Sequence, residues 1–279
     1  MGPWRKVLLG LACFGLAAAR AEVLNDTANG PHPVLELPET LVLGDVTLQH
    51  RAASGTPAGE TLIVTRGRHR LLQLRDQHFE LNYQHPDGAP ELIVTGWSGG
   101  AHCCYTLHVL SLDKPLQHQA IPVDDNDEVG FIDQDGAPPL LQFGDFDFAY
   151  WHAAFVDSPA PRLILRYDPV QRRYRADFAA VHQDPPDAAA LQALVAKPQA
   201  PLWGPMLDLI YSGNAPAARQ LLDLAWPDGR PGKERFLACF TRQLRSGRLW
   251  QMFGLGAGFA AEADFPPKPI TAKACQGDL

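Results

Sequence analysis

The stretch Asp87-Gly88-Ala89-Pro90-Glu91-Leu92-Ile93-Val94 is echoed 48 residues later by Asp135-Gly136-Ala137-Pro138-Pro139-Leu140, and the same offset carries Gly96 onto Gly144. A turn, an apolar strand and a closing glycine that recur at a fixed offset mark a repeated β-unit. The later unit of the pair runs Leu140 to Phe143, Arg162 to Tyr167, a turn at Asp168-Pro169-Val170, then Arg173 to Phe178. The earlier unit runs Glu91 to Thr95, Tyr105 to Leu112, a turn at Asp113-Lys114-Pro115, then Gln117 to Val123. A fainter unit precedes both: Leu62 to Thr65, Leu71 to Leu74, a turn near Asp76, then Phe79 to Tyr83, with Leu-Ile-Val-Thr at 62 to 65 recurring at 92 to 95. Short runs rich in Val, Ile, Leu, Phe and Tyr, broken by Gly, Pro, Asp and Asn, are the pattern of antiparallel strands.

After Pro185-Pro186 the period changes. Asp187 suits an N-cap for a helix that ends before Pro198. Leu202, Met206, Leu209 and Ile210 form a helical stripe stopped by Gly213, Asn214 can cap the next helix, and its stripe is Ala218, Leu221, Leu222 and Ala225. A longer helix from Pro231 carries Phe236, Phe240 and Leu244 and ends near Gly247. The expected fold is α+β: an antiparallel β-repeat region over 22–182, partial-propeller-like or a sandwich, then a small all-helical domain over 187–253 and an extended tail over 254–279.

The first 21 residues set the compartment. Arg5 and Lys6 precede 13 uncharged residues, Val7 to Ala19, and Ala19-Arg20-Ala21 fits a signal-peptidase site. A membrane-spanning helix needs roughly 20 apolar residues, so the run reads as a cleaved signal and the chain as periplasmic or secreted after cleavage near Ala21. Cleavage leaves 21 basic against 31 acidic residues, a net charge of −10. That balance disfavours nucleic acid and anionic membrane, and no later apolar run is long enough to span a bilayer. Four cysteines remain, Cys103, Cys104, Cys239 and Cys275, and an even number in an exported chain reads as disulfides. Of the three connectivities, Cys239 with Cys275 would tie the tail to a helix, leaving Cys103 with Cys104 as a vicinal pair beside Gly99 and Gly100.

The repeat resembles the Asp-Gly repeats of FG-GAP and VCBS type β-propeller proteins, in which an acidic Asp-x-Asp-x-Asp-Gly loop precedes a strand like Pro90-Glu91-Leu92-Ile93-Val94. The chain as a whole, above all Ser98-Gly99-Gly100-Ala101-His102-Cys103-Cys104, also resembles a group of exported bacterial proteins of uncharacterised function. The resemblance implies blade-like sheets and calcium-binding loops. Eight carboxylates fall between Asp124 and Asp147 with no Lys or Arg among them. They read as a solvated loop or as a Ca²⁺ site, whose ligands would be Asp133 and Asp135 first, then Asp125 and Asp127.

Three further constellations carry chemistry. Gly96-Trp97-Ser98-Gly99-Gly100 follows a strand and matches the G-x-S-x-G nucleophile elbow, which would make Ser98 a hydrolase nucleophile; the other reading is a glycine-rich β-turn. His102, Cys103, Cys104 and His108 hold soft-metal ligand types without a standard zinc spacing. Trp97, Tyr150 and Trp151, with His102, offer a recognition surface for an envelope protein or glycan if exposed, and core if not. The arginines at 66, 68, 70, 75, 162, 166, 172, 173 and 175 read as solvated sheet faces. The functional expectation is an exported binding protein, with serine hydrolysis at Ser98 the alternative from another class.

Overall fold

The computed structural model describes residues 37–52, 59–84, 88–100, 104–124, 129–134, 137–196 and 201–277. Its twelve strands form three four-stranded antiparallel meanders, none closed into a barrel. Sheet I comprises β1 (Thr40–Leu43), β2 (Val46–Ala52), β3 (Glu60–Arg66) and β4 (His69–Asp76). Sheet II comprises β5 (His78–Gln84), β6 (Leu92–Trp97), β7 (Tyr105–Ser111) and β8 (Gln117–Val123). Sheet III comprises β9 (Gly130–Gln134), β10 (Ala137–Gly144), β11 (Arg162–Asp168) and β12 (Arg173–Ala176). With α1 (Phe178–Val181), α2 (Ala188–Val195), α3 (Trp203–Tyr211), α4 (Ala215–Ala225), α5 (Lys233–Ser246), α6 (Arg248–Phe253) and α7 (Leu255–Gly258), the chain is α+β with its helices at the C-terminal end.

Alternation along the strands explains the layering. In β6, Leu92 and Val94 join Val46, Leu48, Leu62 and Val64 of sheet I in one apolar cluster. Ile93 between them joins Leu141, Phe143, Leu163 and Leu165 of sheet III and the helices in another. Successive side chains of a strand point to opposite faces, so sheet II is packed on both. The far face of sheet I carries Thr47, Gln49, Thr61, Thr65, Gln73 and Arg75, and the registers place them side by side. Ile63 and the exposed Val42 share that mixed face, and among the described residues no further sheet is paired or stacked beyond it.

The Asp-Gly-Ala-Pro echo falls between the first and second strands of two sheets, its second copy entering the second strand at Ala137 and Pro138. The faint early unit is out of phase: β3 and β4 lie in sheet I, but β5 opens sheet II. The turn expected near Asp76 is a single residue, Gln77, carrying the chain from one sheet to the next. Each sheet also has a first strand that the three-strand plan omitted or assigned to its predecessor. Phe178 opens α1, capped by Asp177 through the Ala180 amide, and does not close a strand.

The arginines stitch as well as solvate. From the β3–β4 turn, Arg66 donates to the Leu112 and Asp113 carbonyls, and from the β11–β12 turn Arg172 donates to those of Ser111 (3.3 Å) and Pro115 (3.2 Å). Both therefore clasp the β7–β8 hairpin of sheet II. Glu60 binds sheet I to β5 by accepting from the Phe79 amide at 2.7 Å and facing His78 at 3.0 Å.

Gly96 has a packing reason. A β-carbon there would run into Asp76 Oδ2 and come within 3.0 Å of the Phe79 ring and 3.1 Å of His108 Nε2. Gly96→Ala is expected to lower stability by about 1–3 kcal/mol, as overpacking of a filled site does, measured as a lowered urea midpoint. An unchanged midpoint would mean that Asp76 swings aside freely.

The tail is not simply extended. Phe259, Ala261 and Phe265 are buried in the helical core, so the segment expected to be extended from 254 onward packs into that unit. The expected Cys239–Cys275 disulfide is present. Cys104 is also disulfide-bonded; Cys103 lies outside the described residues, as does the signal segment.

Candidate functional site

The glycine-rich segment after β6 is a hairpin connection. β6 leads into antiparallel β7, so the strand-turn-helix geometry of a nucleophile elbow is not formed. The Ser98 hydroxyl donates to the Cys104 carbonyl at 3.2 Å, and its amide donates to the same oxygen at 3.0 Å. Trp97 stacks on Tyr105 across the hairpin, with ring centroids 6.2 Å apart, and its indole N–H reaches the Gly100 carbonyl. His102, the remaining aromatic-patch candidate here, lies outside the described residues.

His108 points into the interface of sheets I and II. Its Nδ1 faces His118 Nε2 at 3.0 Å, and its buried Nε2 has no hydrogen-bond partner. Burial, with the His118 charge adding to it, lowers the His108 imidazole to about 4, and it stays neutral. Among the described residues, no three His, Cys, Asp or Glu side chains are grouped to hold a metal ion.

The three carboxylates of the acidic stretch whose side chains are described, Asp124, Asp145 and Asp147, form a latch. Asp124 takes a bidentate contact from Arg248, 2.6 and 2.7 Å, so the cation missing from the local sequence comes from α6. Asp147 accepts the Leu249 amide at 3.1 Å at the start of that helix, and its own carbonyl accepts from Gln243. A β-carbon on Gly247 would stand 2.6 Å from Asp147 Oδ2, which is why the α5–α6 junction is glycine. Asp145, 2% exposed, accepts the Tyr211 hydroxyl at 2.6 Å and the Asp147 amide at 2.9 Å. Burial, reinforced by the Asp147 carboxylate, pushes its carboxyl up to about 7. The calcium candidates Asp125, Asp127 and Asp135, and the Asp133 side chain, lie outside the described residues.

The aromatic patch divides. Trp151 is partly buried and packs edge-on against Phe148 (5.2 Å) and Trp203 (5.1 Å), within the helical core. Tyr150 is 61% exposed and leans on Phe155. The two neighbours therefore face different surroundings, Trp151 packed against the core and Tyr150 toward solvent.

The site that sequence reasoning missed is a cleft of about 590 Å³ where α2 and α3 meet the start of β11. Its construction is local. Asp187 caps α2 through the Ala190 amide at 2.8 Å, as its position suggested. The turn after α3 places Asn214, whose amide group donates to the Gln183 carbonyl at 3.1 Å instead of capping α4. Gln183 N–H in turn reaches the Ser212 carbonyl, which fixes the loop before α2 against the α3–α4 turn. Val181, Leu194 and Leu209 supply apolar wall, and Arg162, Asp184 and Asp208 line the same space. Among the described residues, none of these three charged side chains makes an ion pair or hydrogen bond. Loss of water around Asp208 raises its carboxyl above the usual range. Tyr211 lines the cleft while its hydroxyl holds Asp145, so the cleft and the latch share a residue. No motif announces this cleft, because its residues come from segments up to about 50 positions apart; the one available signal was Arg162 and Asp208 beside apolar stripes.

No protein-family model, curated protein or solved structure matches this chain.

Proposed function

We propose that the chain is an exported binding module of the bacterial envelope, built on FG-GAP/VCBS-like blades, whose ligand seats in the cleft between sheet III and the helices. The observation that carries this reading is the cleft itself: a concavity of ligand size with apolar walls and three unpaired charged side chains. Arg162, Asp184 and Asp208 are exposed and bring both signs of charge to one cavity, where an outside partner can reach them. Among the described residues no helix is long and apolar enough to cross a membrane. The Ser98 geometry lends no support to hydrolysis, since its hydroxyl is given to a carbonyl.

The test is native mass spectrometry of the chain after incubation with the low-molecular-mass fraction of its own envelope, beside Ala193→Trp. Ala193 lines the cleft from the exposed side of α2, so the indole would fill the cavity without entering the core. A compound retained by the native chain and lost from Ala193→Trp is the expected result. Retention unaffected by the indole, or no retained compound, would overturn the proposal.

A further inference from the structure

We propose that the cleft binds short peptides with free ends, the carboxylate on Arg162, the amine on Asp208 and Asp184, and an apolar side chain between them on Leu194 and Leu209. This rests on the cleft being the ligand site, and adds the class of ligand.

The charges motivate it. Arg166, on the same strand as Arg162, pairs with Asp177 at 2.7 Å, and Arg248 pairs with Asp124. Arg162 has no such partner among the described residues, yet it lines a cavity. A guanidinium presents a planar fork that matches a carboxylate in bidentate fashion. Asp208 sits in the last turn of α3, where the helix dipole already places partial negative charge and disfavours a carboxylate. An ammonium there would be attracted by the carboxylate and by the helix end together. Asp184 adds a second negative group to the same cleft. Arg162 does not pair with either aspartate, so both signs remain available in one cavity, which is the complement of a zwitterion. Leu194 and Leu209 line the same cavity and offer apolar wall, suited to a side chain and not to a sugar. The one aromatic ring among the lining residues, Tyr211, has its hydroxyl committed to Asp145, which leaves little of the stacking and hydrogen-bonding surface that a glycan would use.

The experiment is isothermal titration of the mature chain with the tripeptide Ala-Leu-Ala and its N-acetylated and C-amidated forms. Either block is expected to weaken binding at least about tenfold, the usual size for a charged hydrogen bond. Arg162→Gln should abolish the difference between free and amidated peptide while keeping the difference between free and acetylated peptide. Asp208→Asn should do the reverse. Equal binding of free and blocked peptides, or an unchanged pattern in both variants, would overturn the proposal. If no peptide binds but an envelope compound is still displaced by Ala193→Trp, the ligand class is wrong and the cleft assignment stands. If Ala193→Trp alters neither measurement, both fall.

Discussion

Replacing Asp145 with asparagine is expected to make stability rise more steeply with pH between about 4 and 6.5 than it does in the native chain. Two buried groups with opposite signs produce this. The Asp145 carboxyl is raised from 3.8 to about 7, so the folded state binds more protons than the unfolded one between those values, and the stability this contributes at low pH is lost as pH rises through 7. The full span corresponds to about 4 kcal/mol at 1.36 kcal/mol per unit. His108 is lowered from 6.5 to about 4, so here the unfolded state binds more protons, and the contribution present above 6.5 is lost as pH falls through 4. That span is about 3 kcal/mol. The two slopes oppose one another over the shared window. Asparagine removes the Asp145 slope and unmasks that of His108; His108→Gln should unmask the downward slope instead. Urea midpoints taken at half-unit steps from pH 4 to 8 would show it, and parallel curves for native and Asp145→Asn chains would refute the assignment.

Cys275→Ala is expected to lower stability by about 4 kcal/mol without loosening the fold at rest. The Cys239–Cys275 bridge closes a loop with a sequence separation of 36, and the chain-entropy relation gives that magnitude for such a loop. The folded tail has other attachments. Arg235 donates to the Ala274 carbonyl at 3.0 Å and the Gln276 carbonyl at 2.9 Å, Lys268 pairs with Glu234 at 2.8 Å, and Phe265 packs on Phe240. The variant should therefore keep its native near-ultraviolet spectrum and show a reduced urea midpoint. Loss of the native spectrum in the absence of urea would mean that the bridge, and not these contacts, seats the tail.

What sequence could reveal depended on how locally each feature is determined. The hairpins β6–β7–β8 and β10–β11–β12 were legible, because period-two alternation and turn residues such as Asp113-Lys114-Pro115 report on neighbouring positions. The phase of the earliest unit was not. β4 and β5 look like a hairpin in one dimension, yet only Gln77 separates them, and the tight hairpins take at least two loop residues; that shortage was the available clue to a change of sheet. The pairing of Asp124 was hidden for a different reason. Its neutralising cation, Arg248, lies 124 positions from Asp124, and charge patterning along a chain carries no information at that range. Trp151 likewise found its partners on α3 and α5. The helical stripes identified the helices, but the cleft arises from where α2 and α3 stand relative to β11.

The separation of the two apolar clusters gives the molecule an order of opening. Sheet I shares its apolar cluster with sheet II alone, whereas sheets II and III and the helices are joined in a single larger core. Among the described residues, fluctuations that detach sheet I break the smaller cluster, the clasps of Arg66 and Glu60 and the Lys114–Asp45 ion pair, and they leave the cleft and the latch intact. The N-terminal meander can therefore breathe, or take up mechanical load, without releasing what the other end holds.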